Sequence, residues 1–335
     1  MPRPPAAAAA VSACKPCPVA AYDACAVTES SPLFPAQLDG FAFTSEPISR
    51  ADALRDDADA LARLWPQARV IVLDAEGQAF ANPDGQMMVV HGHAVGGGPG
   101  TALFLGLHGD VAWFALQAEV LPFTAPQRID LRRAAAAWPP AEASAFAFAR
   151  AMQHWRSRTR FCGLCAGAIE FRRGGYVAHC AQCGNDQYPR VDPAVIVAVS
   201  DGQRLLLGRQ ASWPAQRYSV VAGFVEPGES LEQTVVREVF EETQVRVRSC
   251  RYLGAQPWPF PGALMLGFIA DAHPDVPQVD GELEDARWFS VEEVAAARMR
   301  ESGEAQDGGV LLSPRISIAR SLIEYWYAQM TAGRA

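Results

Sequence analysis

The sequence predicts an α+β protein of more than one domain, and three observations lead to that prediction. Strand-like runs separated by Gly, Asn and Asp turns occupy residues 68 to 116. Four cysteines in two close pairs lie near the middle of the chain, and a helical segment rich in glutamate follows them. The 335 residues, half of them apolar, exceed what one core of typical size accommodates. We therefore expect two domains and a small module between them.

Charge and hydropathy exclude two classes of function. The chain carries 29 basic and 37 acidic residues, and its net charge of −8 argues against broad adhesion to nucleic acid or to anionic membranes. Pro, Gly, Arg or Asp interrupts every apolar run before it reaches the ~18 residues that span a bilayer. We expect a cytoplasmic protein with no membrane partner. Its negative total charge still allows local basic patches on the surface.

The first 30 residues are predicted to be a disordered tail because Ala and Pro dominate them. The segment from Val11 to Cys14 is similar to a lipoprotein cleavage box. Only Arg3 supplies positive charge before it, and the alanine run is weakly apolar, so an export signal is not expected. Cys14 and Cys17 form a CxxC pair without a second pair close by, which indicates incidental thiols.

Residues 31 to 157 are predicted to form an N-terminal α+β domain. Its strand-like runs lie at 68 to 74, 87 to 90, 101 to 107 and 111 to 116. After Pro139-Pro140, the run from 141 to 157 has helical composition. His91 and His93 have no third metal ligand beside them. The glycines between 96 and 100 are not followed by the GK[ST] ending of a phosphate-binding loop, so we expect loop and turn roles for both groups.

The first strong chemical signal is the pattern C-x2-C-x14-C-x2-C within residues 158 to 190. Its members are Cys162, Cys165, Cys180 and Cys183. Two knuckles of this spacing close a tetrahedral zinc site of the ribbon type, and closed four-cysteine sites are structural. Without an export signal, disulfides are the less favoured use of these cysteines. The sequence therefore predicts one structural Zn²⁺ per chain.

Arginines flank this ribbon with few acids nearby. They are Arg150, Arg156, Arg158, Arg160, Arg172 and Arg173. Two interpretations stay open at this point, a surface that attracts phosphate and a solvated basic surface.

The stretch from 222 to 245, AGFVEPGESLEQTVVREVFEETQV, concentrates negative charge among good helix formers. It has three explanations: a solvated acidic face, an acidic interaction surface, or carboxylates that bind divalent metal. If residues 229 to 243 are helical, Glu238, Glu241 and Glu242 share one arc. Leu231, Val235 and Val239 fall beside that arc, so the charges do not point away from the apolar stripe. Crowded carboxylates beside apolar residues are unfavourable unless a cation neutralises them, so their position favours the metal explanation. Arg237 is expected to face away from them, toward Glu229.

The same stretch resembles a known family signature. Gly223, Glu229 and the segment Arg237-Glu238-Val239-Phe240-Glu241-Glu242 match the Nudix box, G-x5-E-x7-R-E-U-x-E-E-x-G-U, where U is aliphatic. The one departure is Gln244 in place of the final glycine. The chain therefore resembles a Nudix hydrolase.

A second motif narrows the resemblance. The segment AQPWPFPGALM, residues 255 to 265, is similar to SQPWPFPxS of the NADH pyrophosphatase branch, with Ala255 and Ala263 in place of its two serines. This branch also has a zinc ribbon and an additional N-terminal domain, so the resemblance covers residues 31 to 330. It implies an α/β/α sandwich with a mixed sheet over residues 191 to 330.

The resemblance also implies roles for single residues. The substrate contacts are expected at Tyr188, Phe224, Gln256, Pro257, Trp258, Pro259, Phe260, Pro261, Gly262, Ala263 and Ala319. The ligands of Mg²⁺ or Mn²⁺ are expected at Ala222 through its carbonyl and at Glu238, Glu241, Glu242 and Glu282, of which Glu238, Glu241 and Glu242 are catalytic. Gly175 stands where the family has an acidic substrate residue, and no role is transferred to it.

The activity that the resemblance implies is hydrolysis of the pyrophosphate of NADH or NAD⁺ to nicotinamide mononucleotide and AMP, and removal of NAD caps from RNA. The family is dimeric, so we expect a homodimer in which Tyr188 acts across the interface. Two alternatives are a diphosphatase for ADP-ribose or another nucleoside diphosphate derivative, and a noncatalytic protein that binds nucleotides or nucleic acid. The noncatalytic alternative predicts a damaged glutamate set, and the set is intact.

Overall fold

The structure is a computed structural model that describes residues 38, 40–44, 48–96, 98–100, 102–279, 281–300 and 309–332. The tail predicted for residues 1 to 30 lies outside the described residues. None of the described helices combines the length and the apolar character that a bilayer crossing requires. Residues Gln37–Ala335 form one compact unit, and the predicted domain boundaries within it stay predictions.

The N-terminal sheet has six strands in the order β4-β5-β1-β2-β6, with β3 paired to β1. The strands are β1 (Arg69–Leu73), β2 (Ala79–Ala81), β3 (Val90–His91), β4 (Leu103–His108), β5 (Val111–Gln117) and β6 (Gln127–Ile129). The helices beside it are α1 (Ala58–Leu64), α2 (Gly92–Val95), α3 (Leu131–Ala137) and α4 (Pro140–Arg158). Strands β1 and β5 are parallel and the other pairs are antiparallel. Of the predicted strand from 87 to 90, only Val90 lies in a regular strand, β3. Met87 forms a single isolated bridge to Ala81.

Alternate residues of β1 face two different cores, as the period of two in a strand requires. Ile71 and Leu73 pack in one cluster with Phe146 of α4. Val70 and Val72 pack in the other with Trp65 and Phe114, whose rings meet edge to face at 5.2 Å. The predicted helix is confirmed as α4, and it covers one face of the N-terminal sheet.

The ribbon follows α4 directly and is a three-stranded antiparallel sheet. Its strands are β7 (Ile169–Arg172), β8 (Val177–Cys180) and β9 (Asp186–Gln187). The ribbon contacts the N-terminal sheet closely, since a side chain added at Gly175 would lie 2.9 Å from Leu103 of β4.

The C-terminal sheet has the order β14-β15-β10-β11-β16, with β13 paired to β10. The strands of this region are β10 (Asp192–Ser200), β11 (Leu205–Arg209), β12 (Arg217–Tyr218), β13 (Val221–Phe224), β14 (Val247–Trp258), β15 (Ala263–Ala272), β16 (Asp285–Phe289) and β17 (Leu311–Leu312). The helices are α5 (Leu231–Thr243), α6 (Val291–Arg298) and α7 (Ile318–Ala332). Strands β10 and β15 are parallel while β10 and β13 are antiparallel, so the sheet is mixed.

Helices cover both faces of this sheet. Val195 and Val197 of β10 pack with Val239 of α5. Ile196, the residue between them, packs with Trp326 of α7 on the opposite face. The alternation along β10 thus separates two cores and gives the α/β/α sandwich with a mixed sheet that the resemblance implies.

Candidate active site

The four ribbon cysteines converge on one point. The ligand atoms of Cys162, Cys165, Cys180 and Cys183 all lie within 4.8 Å of one another. The Sγ atoms are 3.6 Å apart between Cys162 and Cys183 and 3.5 Å apart between Cys165 and Cys180. A tetrahedron with Zn–S bonds of about 2.3 Å has edges of roughly 3.8 Å, so this donor set fits a closed zinc site.

Both knuckles are built in the same way. The N–H of Ala166 donates to the carbonyl of Cys162 at 2.9 Å, and the N–H of Gly184 donates to the carbonyl of Cys180 at 2.8 Å. The N–H of Leu164 also donates to Cys162 Sγ at 3.4 Å, and such backbone donors lower the pKa of the Cys162 thiol to about 6. The surroundings of Cys162 therefore favour its thiolate, which is the form that binds metal.

Helix α5 starts at a capping box that sets the position of the glutamates. Ser230 Oγ accepts the N–H of Gln233 at 3.3 Å, and the Gln233 side chain accepts the N–H of Ser230 at 2.8 Å. This arrangement fixes the first turn of the helix. The turns that follow place Glu238 against Gly223 of β13 and Glu242 on a cavity that Ala222 of β13 also lines, whereas Glu241 is largely exposed.

Arg237 links four groups of the site. Its guanidinium donates to Glu229 at 2.6 Å, to Glu238 and Glu241 at 2.9 Å each, and to the carbonyl of Phe224 at 2.9 Å. The ion pair with Glu229 is confirmed, and the Arg237 guanidinium holds the pKa of Glu229 at about 2. The expectation that Arg237 faces away from the other glutamates is wrong, because its long side chain also reaches the carboxylates on either side of it.

Glu238 lies against the backbone of β13 at Gly223. A Cβ at Gly223 would come within 1.8 Å of the Glu238 carboxyl carbon, so only glycine leaves room for this carboxylate. Burial raises the pKa of Glu238, Arg237 opposes that effect, and the charges of Glu241 and Glu282 add to it. A half-buried carboxylate among like charges is a site at which a divalent cation is favourable.

Replacing Gly223 by alanine is expected to lower kcat about 10²-fold, because a misplacement of about 1 Å in a reacting group costs that much. The added methyl group would displace the Glu238 carboxyl group, while the fold should stay intact by circular dichroism. Gly98→Ala is the matched control, since a Cβ at Gly98 meets no atom within 4 Å. Normal turnover of Gly223→Ala would show that the position of Glu238 does not matter.

A cavity of about 200 Å³ opens beside these glutamates, between β13 and the start of α7. Four predicted site residues from distant parts of the chain line it: Ala222, Glu242, Trp258 and Ala319. Glu242 is only 4% exposed, which places a carboxylate inside the protein at this cavity. Ile196, Met265 and Leu283 also line it, and no sequence signal distinguished them from ordinary core residues.

The glutamates form a looser group than the cysteines. Among the described residues, the ligand atoms of three or more metal-ligating side chains lie within 4.8 Å of one another in one set, the four cysteines. The four glutamates do not form such a set. Glu241 is 57% exposed and Glu282 lies on the surface just before β16. Oxygen ligands spread over an open site suit Mg²⁺, which keeps several of its waters.

Gln256 is fully buried and its side chain bonds to the backbone. Its amide nitrogen donates to the carbonyls of Ile316 at 2.7 Å and Ala42 at 3.3 Å, and its amide oxygen accepts the N–H of Ile318 at 2.7 Å. Gln256 therefore holds the start of α7, and with it Ala319, at the cavity. Its expected contact with substrate stays a prediction.

The two aromatic residues of the segment from 257 to 261 pack against the N-terminal core. Trp258 and Phe260 lie 4.9 Å apart and pack against the core that includes α4. Arg132 lies 3.8 Å from the centre of the Phe260 ring, and Arg150 donates to the carbonyl of Pro259. The sequence analysis missed both contacts, because more than 100 residues separate the partners.

Several arginines beside the ribbon are engaged within the protein. Arg173 pairs with Asp56 at 2.9 Å, and Arg172 pairs with Glu170 at 3.0 Å. The guanidinium of Arg156 lies 4.6 Å from the centre of the Phe171 ring. These contacts favour a structural role for much of the basic flank over a free phosphate-binding surface.

Tyr188 and Phe224 are both exposed, at 65% and 59%. In the part of the chain that the structure describes, their rings do not form a pair with each other. Both rings are therefore open to solvent in the single chain, and their expected contacts with substrate stay predictions.

Gln244, which replaces the final glycine of the box, ends α5 in the left-handed region, with φ of 57°. Its N–H donates to the carbonyl of Phe240 at 2.7 Å. Glycine is the residue that adopts this conformation without steric cost, which explains why the box has glycine at this position.

Gln244→Gly is expected to raise the free energy of unfolding by about 0.5 to 1 kcal/mol, since relief of left-handed strain exceeds the entropy that glycine adds to the unfolded chain. Urea denaturation checks the change. Ala328→Gly, at an exposed right-handed position in α7, is the control and should lower the free energy of unfolding by about 1 kcal/mol. Destabilisation by both variants would contradict the explanation.

Comparison with known families finds two matches along the chain. The family described as NUDIX domain matches residues 190–307, and the NADH pyrophosphatase zinc ribbon domain matches residues 157–188. The second match confirms the predicted zinc ribbon.

Curated relatives extend the match to most of the chain. NAD-capped RNA hydrolase NudC of Mycobacterium bovis is 37% identical over 288 residues, which are 83% of this chain and 92% of that protein. NAD-capped RNA hydrolase NudC of Chromobacterium violaceum is 41% identical over 191 residues, covering 56% and 72%. NAD-capped RNA hydrolase NUDT12 of Macaca fascicularis is 40% identical over 196 residues, covering 55% and 42%. Since the first relative is matched over nearly its whole length, the chain belongs to the NADH pyrophosphatase branch of the Nudix hydrolase superfamily.

Proposed function

We propose that this protein hydrolyses the pyrophosphate bond of NADH or NAD⁺ and releases nicotinamide mononucleotide and AMP. The proposal rests on one observation, the 200 Å³ cavity. Its lining includes the buried Glu242, Ala222 of β13 and Trp258. The relatives named NAD-capped RNA hydrolase support the same chemistry on a second substrate, RNA with a 5′ NAD cap. A cytoplasmic location is part of the proposal.

The donor set fits hard divalent cations, because Glu238, Glu241, Glu242 and Glu282 offer only oxygen. Mg²⁺ or Mn²⁺, when bound, would neutralise the pyrophosphate and activate a water. In the reaction, one phosphorus gains the oxygen of water and loses its bond to the bridging oxygen, which leaves on the other phosphate.

The chain itself contributes the positions of the reacting groups. Arg237 holds Glu238 and Glu241 on either side of its guanidinium, and Gly223 leaves room for the Glu238 carboxylate. Trp258 and the start of α7 line the cavity beside these groups. This preorganisation supports a site in which the carboxylates would hold cations against the phosphates.

A specific observation favours a second candidate, a broader diphosphatase for ADP-ribose or another nucleoside diphosphate derivative. Ala255 and Ala263 stand where the family motif has serines, so two hydroxyl groups that could bond a dinucleotide are missing. A site that lacks such hydrogen bonds discriminates less strongly between substrates. The reaction itself would be unchanged.

A hydrolysis panel distinguishes these candidates. NADH, NAD⁺, ADP-ribose and NAD-capped RNA would be compared at equal concentration with added Mg²⁺ or Mn²⁺. We expect the largest kcat/KM on an NAD-containing substrate. A larger kcat/KM on ADP-ribose would select the second candidate, and absence of hydrolysis for all four would refute the diphosphatase proposal.

We further propose a homodimer in which Tyr188 of one copy completes the site of the other. Four large apolar side chains of the ribbon and the segment after it are exposed: Phe161, Leu164, Tyr188 and Val191. Exposed apolar residues of this size, grouped in one short module, are typical of an interface.

Tyr188→Ala and Phe224→Ala are expected to lower kcat/KM for NADH about 2- to 10-fold more than for ADP-ribose. Each removes a stacking contact of about 0.5 to 1.5 kcal/mol with the nicotinamide ring, which ADP-ribose lacks. Ala263→Ser should shift the ratio of the two kcat/KM values in the opposite direction. If the ratio stays constant while both values fall, the two aromatic residues are structural.

A further inference from the structure

The loop between β11 and β12, residues 210 to 216, contributes two side chains to the catalytic cavity. Gln210 and Trp213 line it together with Trp258 and the buried Glu242. Neither residue belongs to the glutamate helix, the ribbon or the motif at 257 to 261. The cavity therefore has a second indole and a carboxamide near the carboxylate that would hold a cation.

Hydrogen bonds hold the backbone of this loop. Gly208 and Ser219 exchange two backbone hydrogen bonds of 2.9 Å each, which close the loop at its base. The N–H of Trp213 donates to the carbonyl of Gln210 at 3.0 Å, and the Arg209 guanidinium donates to the carbonyl of Trp213 at 3.4 Å. The backbone of both lining residues is therefore fixed before substrate binds, which lowers the entropy that binding costs.

Both side chains are half-buried and available to a ligand. Within the described ranges, the Trp213 ring contacts no other aromatic ring and no guanidinium, and the Gln210 carboxamide makes no hydrogen bond. Trp258, in contrast, already packs against Phe260 at 4.9 Å. Trp213 can therefore stack on a flat ring, and Gln210 offers a donor and an acceptor side by side.

The size and position of the cavity select one half of a dinucleotide. Its volume of about 200 Å³ is below the roughly 300–1,000 Å³ that enclose a drug-sized ligand, so it holds a part of the substrate. Tyr188 and Phe224, the residues expected to hold the nicotinamide ring, do not line it. The flat ring left for this cavity is adenine. Its amino group lies beside a ring nitrogen, the pattern that a glutamine carboxamide binds with two hydrogen bonds.

We propose that Gln210 and Trp213 form the adenine subsite, in which Trp213 stacks on the adenine ring and Gln210 bonds to its amino edge. The inference rests on the proposed function and extends it, because the two residues then determine which base the substrate carries. NADH, NAD⁺, ADP-ribose and NAD-capped RNA all contain this adenine. The subsite therefore selects adenosine diphosphate derivatives as a class.

Binding of the two products to the full chain tests the assignment without hydrolysis. Trp213→Ala should raise the dissociation constant of AMP about ten-fold in calorimetric titration with Mg²⁺ present, the effect of one lost base stack. Trp213→Phe should restore most of the affinity, and the dissociation constant of nicotinamide mononucleotide should stay unchanged. Ser212→Ala is the matched control, since Ser212 is exposed on the same loop and does not line the cavity. A loss for nicotinamide mononucleotide and not for AMP would overturn the adenine assignment.

A substrate analogue that differs only on the amino edge tests Gln210. Reduced nicotinamide hypoxanthine dinucleotide has an oxygen in place of the adenine amino group, so one of the two hydrogen bonds to Gln210 is lost. The wild type should have about five-fold larger kcat/KM for NADH than for this analogue, and Gln210→Met should bring the ratio near one. Trp213→Ala should lower both values together, about ten-fold, because stacking does not depend on the edge of the base.

Three further results would overturn the proposal: a kcat/KM ratio that Gln210→Met does not change, equal effects of Ser212→Ala and Trp213→Ala, or no measurable binding of AMP to the wild type. Failure of the proposed function gives a different result. The wild type would then hydrolyse neither NADH nor the analogue, while the binding of AMP could still be measured.

Discussion

Glu242→Gln and Glu241→Gln should each lower kcat by roughly 10²-fold or more, because each removes a negative charge that would hold the cation against the pyrophosphate. Glutamine has nearly the same shape as glutamate, so the core around the buried Glu242 keeps its volume. Both variants should therefore keep a cooperative unfolding transition. Turnover with NADH and urea denaturation would be measured on the same preparations.

Glu232→Gln is the control for both variants. Glu232 lies in the first turn of the same helix, is exposed, and is absent from the predicted metal ligands. The charge change is therefore identical, and kcat should stay at the wild-type value. Near-normal turnover of Glu242→Gln would refute its assignment, whereas equal losses for Glu232→Gln would show that only the total charge of α5 matters.

Removal of zinc should have the largest effect on stability. Purified protein is expected to carry about one zinc per chain, and structural Zn²⁺ contributes about 10–16 kcal/mol to the folding of isolated zinc modules. Cys162→Ser should therefore unfold the ribbon. Because Phe171 of the ribbon meets Trp155 of α4 at 5.6 Å, and Arg173 pairs with Asp56, the loss should extend to the N-terminal sheet.

Zinc content by elemental analysis and the urea midpoint by fluorescence check this expectation. Cys250→Ser is the control, since Cys250 is a free cysteine in β14 far from the ribbon in sequence. It should keep the zinc and change the midpoint little. Freshly prepared, never-chelated protein without zinc, or a Cys162→Ser variant as stable as wild type, would refute a structural metal.

Wherever the partners are close in the chain, the sequence by itself determined the local chemistry. The C-x2-C-x14-C-x2-C spacing predicted the zinc ribbon, because two knuckles need only a few residues each. The spacing of Glu238, Glu241 and Glu242 predicted one helical arc, because the period of an α-helix is fixed. The predicted ion pair of Glu229 with Arg237 is confirmed at 2.6 Å, although Glu229 lies before the first residue of α5 and not within the helix.

Only the tertiary structure decided which distant segments of the chain are in contact. Ala319 of α7 reaches the cavity of Glu242 because Gln256 bonds to the start of that helix. Phe260 lies under Arg132, and Trp213 lines the same cavity as Glu242. Contacts of this kind depend on how separate layers pack, which has no periodic signature in sequence. The left-handed backbone of Gln244 is the local exception, because the glutamine does not predict this conformation by itself and only the glycine of the box at the same position points to it.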